Sequence, residues 1–236
     1  MEKQQKQLHI VMFPWFAMGH MTPFLQPSNE FGDRGHKITF LLPNKAKLLL
    51  QDSVLHPSLI NLHSINVPHV DPLQVGTEIA SEIPIQLTTH LATTLDLTRP
   101  EVESVLEGLH PKPDILFYDM AHWAPAVASR LGIKSVSYNV VCAASLAIAL
   151  VPDRPVSEEN VAQTPPGYPS SNVVLHGHDA RSLLFIAKEF GSGTTFYLRI
   201  TTAMRSAHVI AIRTCHEIEG NFCDYVSAQY NRPSAP

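Results

Sequence analysis

Residues 8–43 read LHIVMFPWFAMGHMTPFLQPSNEFGDRGHKITFLLP. Leu8 to Phe13 is short, continuously apolar and β-branched at its centre, as expected of a strand buried on both faces. Pro14 ends it. Thr22 and Pro23 read as a helix start: a hydroxyl that can cap, then a proline whose missing N–H costs nothing in the first turn. Gly35 reads as the stop of that helix. Lys37 to Leu42 is a second apolar strand, closed by Pro43. Strand, helix and strand in this length make a βαβ unit. Pro27 and Gly32 fall inside the helix. An interior proline costs about 3 kcal/mol and a glycine about 1 kcal/mol, so a distorted or kinked first helix is expected.

The alternation continues along the chain. Ile60 to Val67, Asp114 to Tyr118, Lys134 to Val141 and His208 to Arg213 read as further strands. Helices are expected over Glu101 to Leu109 (beginning near Pro84), Ala124 to Leu131, Ala143 to Leu150, much of 179–205 and Glu217 to Tyr230. Gly191 and Gly193 are expected to break the penultimate one, and Pro152 to Pro169 is a proline-rich loop. Strands alternating with helices predict an α/β fold: a Rossmann-like parallel sheet with helices on both faces.

The chain has 236 residues, 44% of them hydrophobic and 16% charged, with a formal net charge of -4. That is enough apolar material for one large core. No basic stripe is present, which argues against a nucleic-acid partner. The apolar stretch Val140 to Val151 is too short for a bilayer, which needs about 20 helical residues. The N-terminal MEKQQKQ lacks the features of a signal peptide. Cys142, Cys215 and Cys223 are odd in number and at no metal-like spacing, so a reduced, cytoplasmic protein is expected. His176 and His178 form an HxH pair without further ligands in sight, so no metal is expected. His69 and Asp71 beside Pro68 read as turn chemistry, and His110 before Pro111 as a solvated helix end. GxGxxG and GxSxG are both missing, which speaks against an NAD enzyme and a serine hydrolase.

Ligands of parallel α/β sheets bind at the carboxyl ends of the strands. His20 lies in the loop after the first strand, and Asp119 directly follows DILFY, the fourth. An aspartate that accepts the proton of one ring nitrogen fixes the tautomer and leaves the other nitrogen free to take a proton from a substrate hydroxyl. Two plainer readings stand beside this one. His20 is a loop histidine bonded to a backbone carbonyl, or Asp119 is a cap for the helix near Ala121.

FPWFAMGHMTPFL, GHKITFLLP, DILFYDMAHW, SVSYNVV, PPGYPSS and RTCHEIEG occur in that order between residues 13 and 220. Together they resemble the N-terminal half of plant family 1 UDP-sugar glycosyltransferases. The wording is most similar to the branch that adds a sugar to flavonoid or anthocyanidin 3-O-glucosides at the 2''-O position. The resemblance runs from residue 8 to about 230.

What it implies is a GT-B N-terminal domain with His20 as catalytic base and Asp119 as its partner. The reaction would be an inverting, metal-free transfer from a UDP-sugar co-substrate to a hydroxyl of a plant metabolite, a flavonoid glycoside. No tightly bound cofactor is implied, and Gly19 is assigned to the co-substrate side. The acceptor slot is expected from Phe16, His122, Trp123, Val140 and Ala144, since aromatic and small apolar side chains suit a flat ring. Core packing is an equal reading for each. The expected division is a disordered 1–7, an acceptor domain 8–230 and the start of an interdomain linker 231–236. The family's donor signature is not among the 236 residues, so the chain alone is expected to have little or no transferase activity. The alternative is a shortened, non-catalytic relative that binds small aromatic glycosides or a partner chain.

Overall fold

The computed structural model describes residues 6–173 and 175–236. Seven parallel strands form one sheet in the order β3-β2-β1-β4-β5-β6-β7. They are β1 His9–Phe13, β2 Lys37–Pro43, β3 Ile60–Ile65, β4 Ile115–Tyr118, β5 Lys134–Asn139, β6 Val209–Ile212 and β7 Ser234–Ala235. The chain builds outward from β1 to β3, returns to lay β4 against the free side of β1, and builds outward the other way. The β1–β4 junction is therefore the point at which strand order reverses, and at such a switch the loops diverge and leave a crevice.

Side chains alternate along each strand, so β1 feeds two cores. Ile10 and Met12 pack with Ile38, Phe40 and Leu42 beneath α1 Met18–Asp33 and α2 Asn44–Leu50. Val11 and Phe13 join Leu116 and Tyr118 on the opposite face. That face is covered by α3 Thr88–Leu97, α4 Arg99–Gly108, α5 Ala124–Arg130, α6 Ala143–Ala149, α8 Phe196–Ser206 and α9 His216–Tyr230, whose buried residues belong to the same core. A short α7, Gly177–Leu183, precedes α8.

The first helix differs from its sequence reading. It begins at Met18, not Thr22, so His20 is its third residue and not part of a loop. The Ala17 carbonyl accepts the N–H groups of both His20 and Met21, which closes the first turn without any side-chain cap. Pro23 and Pro27 lie inside a helix that runs unbroken to Asp33. Gly32 has a packing reason: a Cβ there would meet the His56 ring at 2.7 Å, and that ring bonds Asp33.

The stop is as read. Gly35 takes φ +78°, its N–H bonds the Gly32 carbonyl at 2.8 Å, and the His36 N–H bonds the Phe31 carbonyl at 3.0 Å. These two bonds form a Schellman motif, which needs a left-handed residue after the cap. Nothing lies within 4 Å of a Cβ at Gly35, so Gly35→Ala meets only the backbone penalty. That penalty is about 1–2 kcal/mol. A stiffer unfolded chain returns about 0.4–1 kcal/mol of it. A net loss of about 1 kcal/mol, or roughly 2–4 °C in Tm, is expected in thermal unfolding; an unchanged Tm would show that the turn relaxes.

Other boundaries shift for local reasons. The helix expected from Pro84 is two helices, divided at Thr98, whose hydroxyl bonds back to Leu95 at 2.7 Å. Gly191 and Gly193 do break the 179–205 segment, both at positive φ. Of the terminus expected to be disordered, residues 1–5 lie outside the described residues. Lys6 reaches Asp114 and Gln7 reaches the Gly35 carbonyl, so those two are placed. Residues 231–236, read as the start of a linker, contribute β7 to the sheet edge beside β6.

Candidate active site

Phe13 and Tyr118 pair across the β1–β4 junction, and both chains leave the sheet immediately after them. Asp119 stands there, 6% exposed. One carboxylate oxygen, Oδ1, accepts two backbone N–H groups, from Trp15 at 2.8 Å and Met120 at 2.5 Å. The other, Oδ2, lies 2.6 Å from His20 Nδ1. Both loops are thus tied to one carboxylate, and the two ends converge as the sequence suggested. Asp119 is not a helix cap. Among the described residues, no backbone carbonyl bonds the His20 ring.

The carboxylate accepts, so Nδ1 carries the proton and Nε2 presents its lone pair. The His20 side chain is a quarter exposed, against 7% for Asp119, so the free nitrogen belongs to the solvent side of the pair. Geometry of this kind can remove a proton from a hydroxyl placed at Nε2, with Asp119 stabilising the imidazolium that results.

The ground beneath Asp119 is built from buried polar contacts. The hydroxyl of Tyr118 donates to the Ala203 carbonyl of α8 at 2.7 Å, and burial pushes that phenol upward. Arg199, also on α8, is fully buried. It grips Asp96 of α3 with both terminal nitrogens, at 2.8 and 2.6 Å. It also donates to the carbonyls of Phe190, Gly191 and Met120 and approaches His122 Nδ1 at 3.2 Å. Burial alone would raise the Asp96 carboxyl, but the Arg199 guanidinium overrides it and holds the group below its ordinary range.

The expected acceptor residues divide. Phe16 is fully buried, its ring stacked on Trp15 at 6.2 Å between centroids. Trp123 is 7% exposed and donates its indole N–H to Asp96. Both pack in the core and support the loops, since apolar rings next to the sheet gain most by packing inward. Val140 is half-buried against the α1-side core. Ala144 is half-buried on α6, its N–H held by Glu219 and its carbonyl by the Tyr168 hydroxyl. His122 is half-buried beside Arg199, and burial and that cation push its imidazolium downward. Gly19 is the second residue of α1, with open space beside it.

Three features escaped the sequence reading. The first is a groove of about 380 Å³ lined by Val141, Ser145, Ala149, Leu183, Phe185 and Phe196 among others. The spacing of apolar and small residues in 141–149 hints at it, but the opposite wall comes from α7, α8 and the turn between them. The second is Glu219 of RTCHEIEG. Its carboxylate accepts the N–H groups of Ala143 and Ala144 and the Thr214 hydroxyl, which ties α9 to the start of α6. Burial opposes its charge, yet these bonds hold it below its ordinary range. The third is the Asp96–Arg199 pair. Its signal was present: in FYLRITTAM, Arg199 falls on the same helical face as Phe196 and Ala203.

No protein-family model matches the chain. It is similar to the Arabidopsis thaliana anthocyanidin 3-O-glucoside 2'''-O-xylosyltransferase, with 48% identity over 98% of this chain and 50% of that protein. It is also similar to UDP-glycosyltransferase 79B6 of the same plant, with 47% identity over 96% of this chain and 49% of the relative. The chain therefore spans about half the length of the curated relatives it matches. Among solved structures it resembles Glycyrrhiza uralensis UGT73P12 complexed with glycyrrhetinic acid 3-O-monoglucuronide, with TM-score 0.75, 17% identity, and 97% of this chain against 48% of that one. Arabidopsis thaliana UGT89C1 complexed with quercetin gives TM-score 0.71 and 19% identity, over 95% and 48% of the two chains. By its sequence and its α/β fold, the chain belongs to the plant family 1 UDP-sugar glycosyltransferases and corresponds to their N-terminal half.

Proposed function

We propose that this chain is the acceptor-holding, general-base half of an inverting UDP-sugar-dependent glycosyltransferase that acts on a hydroxyl of a flavonoid glycoside. One observation carries the reading: the 2.6 Å bond from His20 Nδ1 to a buried Asp119 at the β1–β4 switch, with no partner for Nε2 among the described residues. In the proposed reaction His20 Nε2 takes the proton of the acceptor hydroxyl. The oxygen then forms a bond to the anomeric carbon from the face opposite the nucleotide. The bond from that carbon to the diphosphate oxygen breaks, and UDP leaves with the electron pair. The anomeric configuration inverts. Asp119 balances the charge on the imidazolium until the proton is released.

Residues 8–230 are assigned to the acceptor and the base, and Gly19, at the open start of α1, to the approach of the sugar donor. The uridine diphosphate itself is assigned to a second unit of the kind that makes up the other half of the relatives' length. The apolar groove between α6 and α7–α8 supports a flat aglycone, because its walls are aliphatic and aromatic. The anthocyanidin 3-O-glucoside xylosyltransferase among its relatives and the quercetin bound to one structural neighbour support the substrate class. All three cysteines are free, in keeping with a cytoplasmic location.

Calorimetric titration of the chain with a flavonol 3-O-glucoside, and separately with UDP-glucose, tests the assignment. Saturable binding of the glucoside with no comparable binding of UDP-glucose is expected. Ordinary binding of UDP-glucose without binding of the glucoside would overturn it.

A further inference from the structure

We infer that Arg199 is a positioning residue of the His20–Asp119 pair: it pins the β4–α5 turn on which Asp119 stands and locks His122 as the tautomer with its proton on Nε2. The inference rests on reading His20 and Asp119 as the reacting pair.

The contacts run through a single residue of the turn. Arg199 Nη1 donates to the Met120 carbonyl at 3.2 Å, and the Met120 N–H donates to Asp119 Oδ1 at 2.5 Å. The carbonyl and the N–H of Met120 are therefore both fixed, one by the guanidinium and one by the carboxylate it helps to place. The guanidinium cannot drift, because Asp96 holds both its terminal nitrogens and its Nε–H is spent on Phe190. A forked donor of fixed shape does this where a lysine ammonium would not.

The same Nη1 lies 3.2 Å from His122 Nδ1. Nη1 has two hydrogens and three acceptors within reach, Asp96 Oδ1, the Met120 carbonyl and His122 Nδ1, so one hydrogen is shared. A guanidinium has no lone pair to take a proton from Nδ1, so Nδ1 faces it as the acceptor and the ring proton goes to Nε2. Three charged groups face this imidazole: Arg199 from α8, Asp96 from α3 with its carboxylate 3.8 Å from Nδ1, and Arg99 from α4. Burial and the two arginines disfavour the imidazolium, and Asp96 opposes them without prevailing. The turn after β4 and the first turn of α1 then carry two imidazoles whose Nδ1 atoms play opposite parts, donor in His20 and acceptor in His122. His20 offers a lone pair at Nε2, and His122 offers an N–H at Nε2.

Nitrogen-15 NMR of the histidine rings reads this without any activity measurement. In the wild type, His122 should show an unprotonated Nδ1 and a protonated Nε2 at pH 7, and His20 the reverse. In Arg199→Lys, which keeps the cation but loses the fork, His122 should give mixed tautomers. The His20 Nδ1–H should exchange at least about tenfold faster with water, since the carboxylate that shields it is less fixed. A wild-type His122 protonated on Nδ1, or charged at pH 7, would overturn the inference whether or not the variant folds. A folded Arg199→Lys with both ring patterns unchanged would overturn it as well. If the ring patterns are as expected but the flavonol glucoside does not bind, the functional reading falls and the positioning of the pair stands.

Discussion

His20→Ala should lower sugar transfer by about 10²–10⁴-fold, the usual worth of a positioned general base. The measurement needs this chain joined to, or co-expressed with, a donor-binding half, assayed with a flavonol 3-O-glucoside and a UDP-sugar. The loss should fall on kcat and leave the KM for the acceptor little changed, because proton removal is an interaction made only in the transition state. Asp119→Asn should show a comparable loss for a different reason. An asparagine can present its N–H₂ to Nδ1, which would place the ring proton on Nε2, where the acceptor hydroxyl needs a lone pair. The two effects should not add, since both remove the same base. The fold is not at stake in His20→Ala: the side chain is a quarter exposed, and Asp119 keeps its two backbone donors. Unaltered turnover in a folded His20→Ala protein would end the general-base reading.

The legible part of the fold was the part governed by short-range rules. Apolar runs marked β1 to β6, and Gly35 marked the end of α1 because only a left-handed residue completes that motif. The start of α1 was misread because Thr22-Pro23 mimics a cap. The helix begins four residues earlier through backbone bonds to Ala17, helped from outside by Asp119, which takes the Trp15 N–H. A partner 104 residues away leaves no local trace. The pairing of His20 with Asp119 was legible because both follow apolar strands, and strand ends in a parallel sheet share one edge. The acceptor residues were not. Aromatic character alone does not say which side of a loop faces water, and Phe16 and Trp123 face the core. β7 was missed for a similar reason, as a two-residue strand has no periodicity to read.

Asp96→Ala should be strongly destabilising. Arg199 is fully buried, and apart from Asp96 its hydrogen-bond partners are neutral. Without the carboxylate a buried cation is left uncompensated, at a cost of about 3–5 kcal/mol. For a chain of this size that corresponds to a fall of roughly 6–20 °C in Tm, measured by thermal unfolding. Replacing both partners with apolar residues, Asp96→Leu with Arg199→Met, should cost far less than Asp96→Ala alone, because neither desolvated charge remains. A double variant as damaged as the single one would show that the contacts to Met120, Phe190 and Gly191 matter more than the charge. The pH dependence has a definite sign. The folded-state pKa of Asp96 is depressed, so its stabilisation is fully present above the unfolded value near 3.9 and is lost as pH falls through the folded one. The gap in Tm between wild type and Asp96→Ala should therefore be constant near neutrality and narrow below about pH 4. A gap that persists unchanged into strong acid would mean that the carboxylate contributes through its shape and not through its charge.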